Sequence, residues 1–120
     1  MRMTSNQVLT KSALRVGACL GLSYEELAQA LGLDLSTISA MIDGSAELDG
    51  NTASGRQALT LIKIYQALTD NVGLHGEACK QWVSSHNTGL AGTPALLMGT
   101  EMGMEAVLAY LQSLGVPQGM

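Results

Sequence analysis

The sequence predicts an all-α protein: a helix-turn-helix unit followed by a small helical domain. Apolar residues make up 47% of the 120 residues, which is enough to build a packed hydrophobic core. The chain contains one Trp, three Tyr and no Phe, so aliphatic side chains and Met must fill that core, which suits helices better than sheets. Apolar residues recur at helical spacing along the chain, and no strand-like alternation interrupts them.

Start and stop signals divide the chain into seven predicted helices. Ser23 stands three residues before Glu26, a capping-box pattern that begins a helix. Asp34 is a further cap, and Thr93-Pro94 places a proline at a first helical position. The predicted helices cover residues 6–20, 24–31, 35–42, 56–69, 78–83, 94–97 and 101–114.

A polar loop, DGSAELDGNTASG at residues 43–55, is the only plausible internal boundary. We therefore expect a helix-turn-helix domain over residues 1–55, and a connecting helix with a second domain over 56–120. The connecting helix is apolar over more than one face, which predicts that it lies between packing partners.

Charge and apolar patterning limit the function classes. A net charge of −4 and a pI near 4.9 argue against strong DNA binding by a single copy, because phosphate neutralisation supplies most non-specific affinity. No apolar run reaches the roughly 18 residues of a membrane span, and MRMTSNQ lacks a signal-peptide core, so we expect a cytoplasmic protein. Cys19 and Cys79 are expected to be small hydrophobes rather than a disulfide or a metal site.

The segment ELAQALGLDLSTISAMIDG carries the helix-turn-helix pattern. Ala28, Gly32 and Ile38 supply the small residue, the turn and the apolar anchor that the motif requires. Ile38 and Met41 are predicted to point inward. An ordinary αα-hairpin with a glycine turn is the alternative.

The recognition helix of this motif has no Lys or Arg. Six acidic residues and no basic residue lie between positions 23 and 50. Ser and Thr hydroxyls read bases weakly beside an Arg on guanine. Lys11 and Arg15 are four residues apart on one helix face and are positioned either to hold a phosphate or to form a solvated face. The candidate DNA-binding residues are Lys11, Arg15, Ser36, Thr37, Ser39 and Ala40.

Residues 82–115 resemble the toxin-binding domain of the Xre/MbcA/ParS antitoxin family. Trp82-Val83 corresponds to a Trp-Leu pair in that pattern, and Asn87 corresponds to its Asn position. The stretch LAGTP at 90–94 corresponds to its Leu-Gly-Gly-x-x-Pro turn, with one residue fewer. The remaining matches are Leu96, Leu97, Thr100, Gly103, Val107, Tyr110 and Leu111.

The upstream half is similar to the same family. Residues 9–39 look like its Xre-type helix-turn-helix, including the Leu-Gly-Leu-Ser link, and residues 58–73 look like its long connecting helix. The family usually has an Arg after the Thr-x-Ser of the recognition helix, whereas this chain has Ala40-Met41. That departure bears on operator binding, not on the fold.

The resemblance implies a type II antitoxin without enzymatic activity or cofactor. Its partner would be a RES-domain toxin, an enzyme that consumes NAD, and the C-terminal half would cover the active-site cleft of that toxin. The resemblance also implies a homodimer and an operon repressed by the complex, with weak operator binding by the antitoxin alone. The candidate toxin-binding residues are His86, Asn87, Leu90, Gly92, Pro94, Gln118 and Met120.

Two alternatives remain. A stand-alone dimeric helix-turn-helix regulator would bind a palindromic site by itself, and a small helical enzyme would need an acid–base cluster that the sequence lacks. Within the C-terminal half, Trp82 is predicted to be a packing centre. Met98, Met102, Met104 and Met120 are candidates for an adaptable partner surface, but for Met104 core filling is the predicted role.

Overall fold

A computed structural model of the protein describes residues 4–115. Within that range the chain is helical and contains no strand, so the predicted fold class is confirmed; a single β-bridge joins Asn87 and Gly92. The helices are α1 (Ser5–Cys19), α2 (Tyr24–Leu31), α3 (Leu35–Asp43), α4 (Ala53–Ala67), α5 (Glu77–Ser84), α6 (Pro94–Leu97) and α7 (Glu101–Gly115).

The helix ends of the N-terminal half follow the predicted capping pattern. The Ser23 Oγ accepts the Glu26 backbone N–H at 3.1 Å, and the Glu26 carboxylate accepts the Ser23 N–H at 2.8 Å. Gly32 ends α2 and Gly44 ends α3, both in the left-handed region with φ of 71° and 89°. The left-handed turn at Gly32 sets the angle between the two helices of the motif.

The connecting helix differs from its prediction at both ends. It begins at Ala53 rather than residue 56, because Thr52 caps it by accepting the Gly55 N–H at 3.1 Å. The predicted end, residue 69, falls within a π-helical turn, Leu68–Val72, that continues α4. Gly55 packs so closely on the Asp49 backbone that no side chain fits there.

Helix α4 runs through the centre of the molecule, as its wide apolar arc predicts. It contacts α1 and α2 in the N-terminal half and α7 in the C-terminal half. Leu61 and Ile64 of α4 are completely buried. The two halves therefore share one hydrophobic core, in which α4 is the common element.

Two predictions about the C-terminal core need correction. Met98 is fully buried rather than part of a partner surface, whereas Met104 fills the core as predicted and Met102 is exposed. Trp82 is only half-buried and packs on the margin of the core, because Cys79 and Val83 occupy the inward face of α5. Of the helices that the model describes, none is long and apolar enough to cross a membrane.

Candidate functional site

Helix α3 presents a polar outer face with two exposed apolar side chains. Ile38 and Met41 are buried, as predicted. Ser36 and Ser39 are exposed, and Thr37 and Ala40 are half-buried. The two exposed apolar side chains are Leu35, which is 45% exposed, and Ile42, which is 50% exposed.

The hydroxyl groups at the start of α3 are already hydrogen-bonded to the Asp34 carboxylate. One oxygen of Asp34 accepts the Ser36 hydroxyl at 2.9 Å, the Thr37 hydroxyl at 2.7 Å and the Thr37 backbone N–H at 2.9 Å. These hydrogen bonds, led by that from the Thr37 side chain, lower the pKa of Asp34. The group is therefore a carboxylate at neutral pH, placed where a helix N-terminus would otherwise attract a phosphate.

This arrangement leaves few free hydrogen-bond donors at the start of α3. Because Ser36 and Thr37 donate to Asp34, they present only acceptor lone pairs outward, and phosphate oxygens need donors. The sequence Asp-x-Ser-Thr at residues 34–37 predicts the helix cap at Asp34. It does not show that the Ser36 and Thr37 hydroxyl groups both donate to the Asp34 carboxylate, which is seen only in the folded structure.

The two basic candidates lie on α1 and not on α3. Lys11 and Arg15 are both exposed. Among the described residues neither forms an ion pair, and the ion pair found there joins Lys80 to Glu77 at 3.5 Å. Arg15 also lines a groove with Ile42, so the structure brings α1 and the end of α3 together.

In the C-terminal half, Asn87 organises the loop between α5 and α6. Its backbone N–H donates to the Gly92 carbonyl at 2.8 Å, and its side-chain oxygen accepts the Leu90 N–H at 3.1 Å. Ala91 adopts a left-handed φ of 56° within this loop. The Asn87 side-chain oxygen is therefore used for a hydrogen bond within its own loop, and the side chain is half-buried.

The other predicted toxin-binding residues of this half differ in their exposure to solvent. His86 is exposed and shares a shallow groove with Trp82, whereas Leu90 is half-buried and Pro94 is buried. Gly92 packs next to the Leu97 side chain. Gln118 and Met120 lie outside the described residues.

The two most exposed large apolar side chains of the described chain are Met102, which was predicted as a partner-surface candidate, and Leu96, which was not. Leu96 is 74% exposed and Met102 is 83% exposed, and they flank the turn between α6 and α7. We call these two residues the α6–α7 patch. Helical spacing in α7 indicates the exposure of Met102, because Met102 lies outside the buried stripe formed by Met104, Val107 and Leu111.

The turn that carries the patch is closely packed. The Thr100 hydroxyl oxygen accepts the Gly103 N–H at 3.0 Å and caps α7. Gly103 lies directly against the Leu97 carbonyl, where a Cβ would collide with it. A Cβ at Gly99 would lie 3.6 Å from the Gln29 side-chain oxygen of α2, so the turn also approaches the N-terminal half.

Comparison with protein families assigns both halves. Residues 1–59 match the antitoxin Xre-like helix-turn-helix domain, and residues 67–114 match the antitoxin Xre/MbcA/ParS C-terminal toxin-binding domain. The chain belongs to the Xre-type antitoxins. A search among curated proteins finds no match.

The family assignment places the outer face of α3 and the α6–α7 patch in two different domains. The helix-turn-helix interpretation replaces the simple αα-hairpin, and α2 and α3 lie within the matched domain. The α6–α7 patch lies inside the toxin-binding domain. Both families are antitoxin domains and not enzyme families, and together they imply a toxin partner and DNA binding.

Proposed function

We propose that this antitoxin docks its toxin through the α6–α7 patch and that the toxin is a RES-domain enzyme that consumes NAD. The observation that carries the docking surface is the exposure of Leu96 (74%) and Met102 (83%) on an ordered turn of the toxin-binding domain. Large exposed apolar side chains of this kind mark protein-binding surfaces when they are grouped. The RES assignment rests on the family resemblance of residues 82–115.

The packing of the turn favours this role. Because Thr100 caps α7 and Gly103 packs on the Leu97 carbonyl, the backbone under the patch is fixed before any partner arrives. A preorganised surface loses less conformational entropy on binding, so more of the contact energy remains as affinity. The exposed carboxylate of Glu101, directly before Met102, adds a polar rim beside the apolar contact.

The predicted toxin-binding residues upstream of the patch divide into two roles. His86 is exposed beside Trp82, and we propose that it extends the docking surface together with Leu90. Asn87, Gly92 and Pro94 shape the loop through backbone hydrogen bonds and burial, so their substitution acts indirectly. Insertion of Gln118 and Met120 into the toxin cleft stays a prediction.

For DNA, we propose that the toxin–antitoxin complex represses its own operon and that a single antitoxin binds the operator weakly. Lys11 and Arg15 would contact phosphates, and Ser39 and Ala40 would face the bases. The Asp34 carboxylate and its bound hydroxyl groups oppose tight binding by one copy. Linking several weak modules in one complex restores affinity, because later contacts form intramolecularly.

We predict a RES-domain gene beside the gene of this chain, and the docking proposal is tested with the full-length chain and the protein which that gene encodes. Leu96→Asp and Met102→Asp each place a charge in the patch, and Leu35→Asp is the matched control on α3, where Leu35 is 45% exposed. The wild type should stop NAD consumption. Each patch variant should bind the toxin about 30-fold more weakly, the effect of losing a hot spot of about 2 kcal/mol.

The outcomes separate the parts of the proposal. Patch variants that inhibit as strongly as the wild type, or a Leu35→Asp control that fails equally, would refute the α6–α7 patch as the docking site. A wild-type chain that leaves the RES-domain protein fully active would refute the RES assignment. Tight, salt-dependent binding of a palindromic operator by the antitoxin alone would instead support the stand-alone regulator.

A further inference from the structure

The two cysteines of the chain lie where its two halves meet. Cys19 is the last residue of α1, and Cys79 lies in the first turn of α5. The chain just after α1 packs on α5, because a Cβ at Gly21 would lie 3.0 Å from the Cγ of Lys80. Lys80 directly follows Cys79, so this contact brings both cysteines to one place between the helix-turn-helix domain and the toxin-binding domain.

Tyr65 of α4 joins the two thiols in one cluster. Charge repulsion from Cys19 and a hydrogen bond between the two side chains raise the pKa of the Tyr65 hydroxyl, and burial and Cys79 raise it further. Burial raises the pKa of the Cys79 thiol, and Cys19 adds to that shift. Because such effects decline with distance, all three side chains are neighbours.

The two thiols differ in their exposure. Cys79 is buried and its Sγ donates to the Leu74 carbonyl at 3.3 Å, whereas Cys19 is half-buried, so a small oxidant reaches Cys19 first. Both thiols are free. Within residues 4–115 no third His, Cys, Asp or Glu joins them in a group that could hold a metal, and a structural zinc site needs four ligands. The two side chains therefore have the chemistry of a dithiol rather than of a metal site.

We propose that Cys19 and Cys79 are a peroxide-sensitive thiol pair that closes into a disulfide between the two domains. In the first step the Cys19 sulfur attacks one oxygen of hydrogen peroxide, the O–O bond breaks, and Cys19 becomes a sulfenic acid while one water leaves. The Cys79 sulfur then attacks the Cys19 sulfur, the S–S bond forms, and the hydroxyl leaves with the Cys79 proton as a second water. The two thiols lose two electrons, which reduce one peroxide to two waters.

The disulfide would connect the two halves at a second point, in addition to α4. It would close a loop of about 60 residues, and a cross-link of that span restricts the unfolded chain. In the reduced protein Cys79 remains the small buried side chain that the sequence predicts. Neither cysteine belongs to the α6–α7 patch or to α3, so the inference does not depend on toxin docking or on DNA binding.

The test uses the full-length chain, treated briefly with a small excess of hydrogen peroxide and then alkylated with N-ethylmaleimide in urea. The wild type should take up no label, should lose about 2 Da, and should yield a tryptic peptide pair that joins Cys19 to Cys79. Its Tm should rise by about 5 °C or more. Dithiothreitol should restore both thiols and the original Tm.

Single variants separate the two steps. Cys79→Ala should stop at a sulfenic acid on Cys19, which dimedone traps, whereas Cys19→Ala should leave Cys79 mostly unoxidised because that thiol is buried. The matched control is the double variant Cys19→Ala with Ala18→Cys. It keeps two cysteines but moves one thiol to an exposed position of α1, so it should form no intramolecular disulfide.

Circular dichroism of each sample checks that the helices are retained. Two thiols that both stay open to alkylation in the folded wild type would overturn the proposal. So would disulfide-linked dimers as the main product, or a cross-link that appears only when the helical signal is lost. Equal cross-linking in the wild type and the Ala18→Cys control would show that proximity of Cys19 to Cys79 is not the cause.

Discussion

The start of α3 and the start of α7 are two helix N-termini of one chain that have opposite surface chemistry. At α3 the Asp34 carboxylate binds the Ser36 and Thr37 hydroxyl groups. At α7 the neutral Thr100 hydroxyl caps the helix. Met102, two residues after Thr100, is 83% exposed.

The comparison teaches that the capacity of a surface to bind a partner depends on whether its side chains are already hydrogen-bonded or buried within the chain. The polar groups at α3 belong to types that bind nucleic acid, yet their hydroxyl donors are satisfied within the chain. The apolar groups at the α6–α7 patch have no covering element within the described chain, so burying them on a partner is favourable by roughly 25 cal/mol per Å². The second surface therefore has more binding energy available than the first.

The largest expected effect comes from breaking the scaffold of the patch without changing its chemistry. Gly103→Ala would bring a Cβ against the Leu97 carbonyl, so the turn between α6 and α7 must shift. The better helix propensity of Ala offsets part of this cost, and we expect a net loss of about 1–3 kcal/mol in the free energy of unfolding. Urea unfolding measures it, and toxin affinity should fall as well.

Gly50→Ala is the control for Gly103→Ala, because a Cβ at Gly50 meets only the Leu9 side chain at 3.9 Å. It should change the free energy of unfolding little. Equal stability of the two variants would show that close packing at Gly103 does not hold the turn.

A similar loss of stability is expected on the N-terminal side at Thr10. Its buried hydroxyl accepts the Leu48 N–H at 2.7 Å and donates to the Asn6 carbonyl at 2.7 Å, which ties the loop after α3 to α1. Thr10→Val leaves the Leu48 N–H without an acceptor and should destabilise the chain by about 1–3 kcal/mol. Thermal unfolding measures the change, and Thr10→Ser, which keeps the hydroxyl, should recover most of it.

A smaller effect sharpens the comparison directly at α3. Asp34→Asn keeps a good N-cap but removes the negative charge, so binding of a non-specific DNA duplex should tighten by about 3- to 10-fold at low salt. Fluorescence anisotropy measures this affinity. Asp43→Asn, which removes a carboxylate at the other end of the helix, is the control and should have less effect. Unchanged affinity in Asp34→Asn would mean that this carboxylate does not limit DNA binding.

The smallest effect is on the pH dependence of stability. Hydrogen bonds lower the pKa of Asp34 in the folded state below its unfolded value, which is about 3.9. The stabilisation is therefore complete above the unfolded pKa and is lost as the pH falls through the folded pKa. The Tm of Asp34→Asn should fall less than that of the wild type on acidification below about pH 4. An identical acid limb in both proteins would contradict this.

Local signals predicted the helices well because caps and glycine stops act over a few residues. The capping box at Ser23 and the left-handed Gly32 needed no long-range information. The start of α4 was missed because the polar loop before it packs on its first turn, where Gly55 lies against the Asp49 backbone. The capping role of Thr52 was also missed, because the residues on both sides of it are polar and no change in polarity marks the start of the helix.

The candidate site was harder to predict than the fold. Helix α6 has four residues, too few for a periodic pattern to show which side faces the core. Met98, directly after α6, was predicted to lie on a partner surface but is buried, whereas Leu96 is exposed. Trp82 was predicted as a packing centre from residue type alone, whereas its position on α5 leaves it half-buried.

Hydrogen–deuterium exchange of the full-length antitoxin, with and without its toxin, tests the central claim most directly. The account predicts that binding slows amide exchange in residues 94–104, around the α6–α7 patch, and leaves residues 35–43 of α3 unchanged. Slowed exchange in residues 35–43 with none in 94–104 would contradict it.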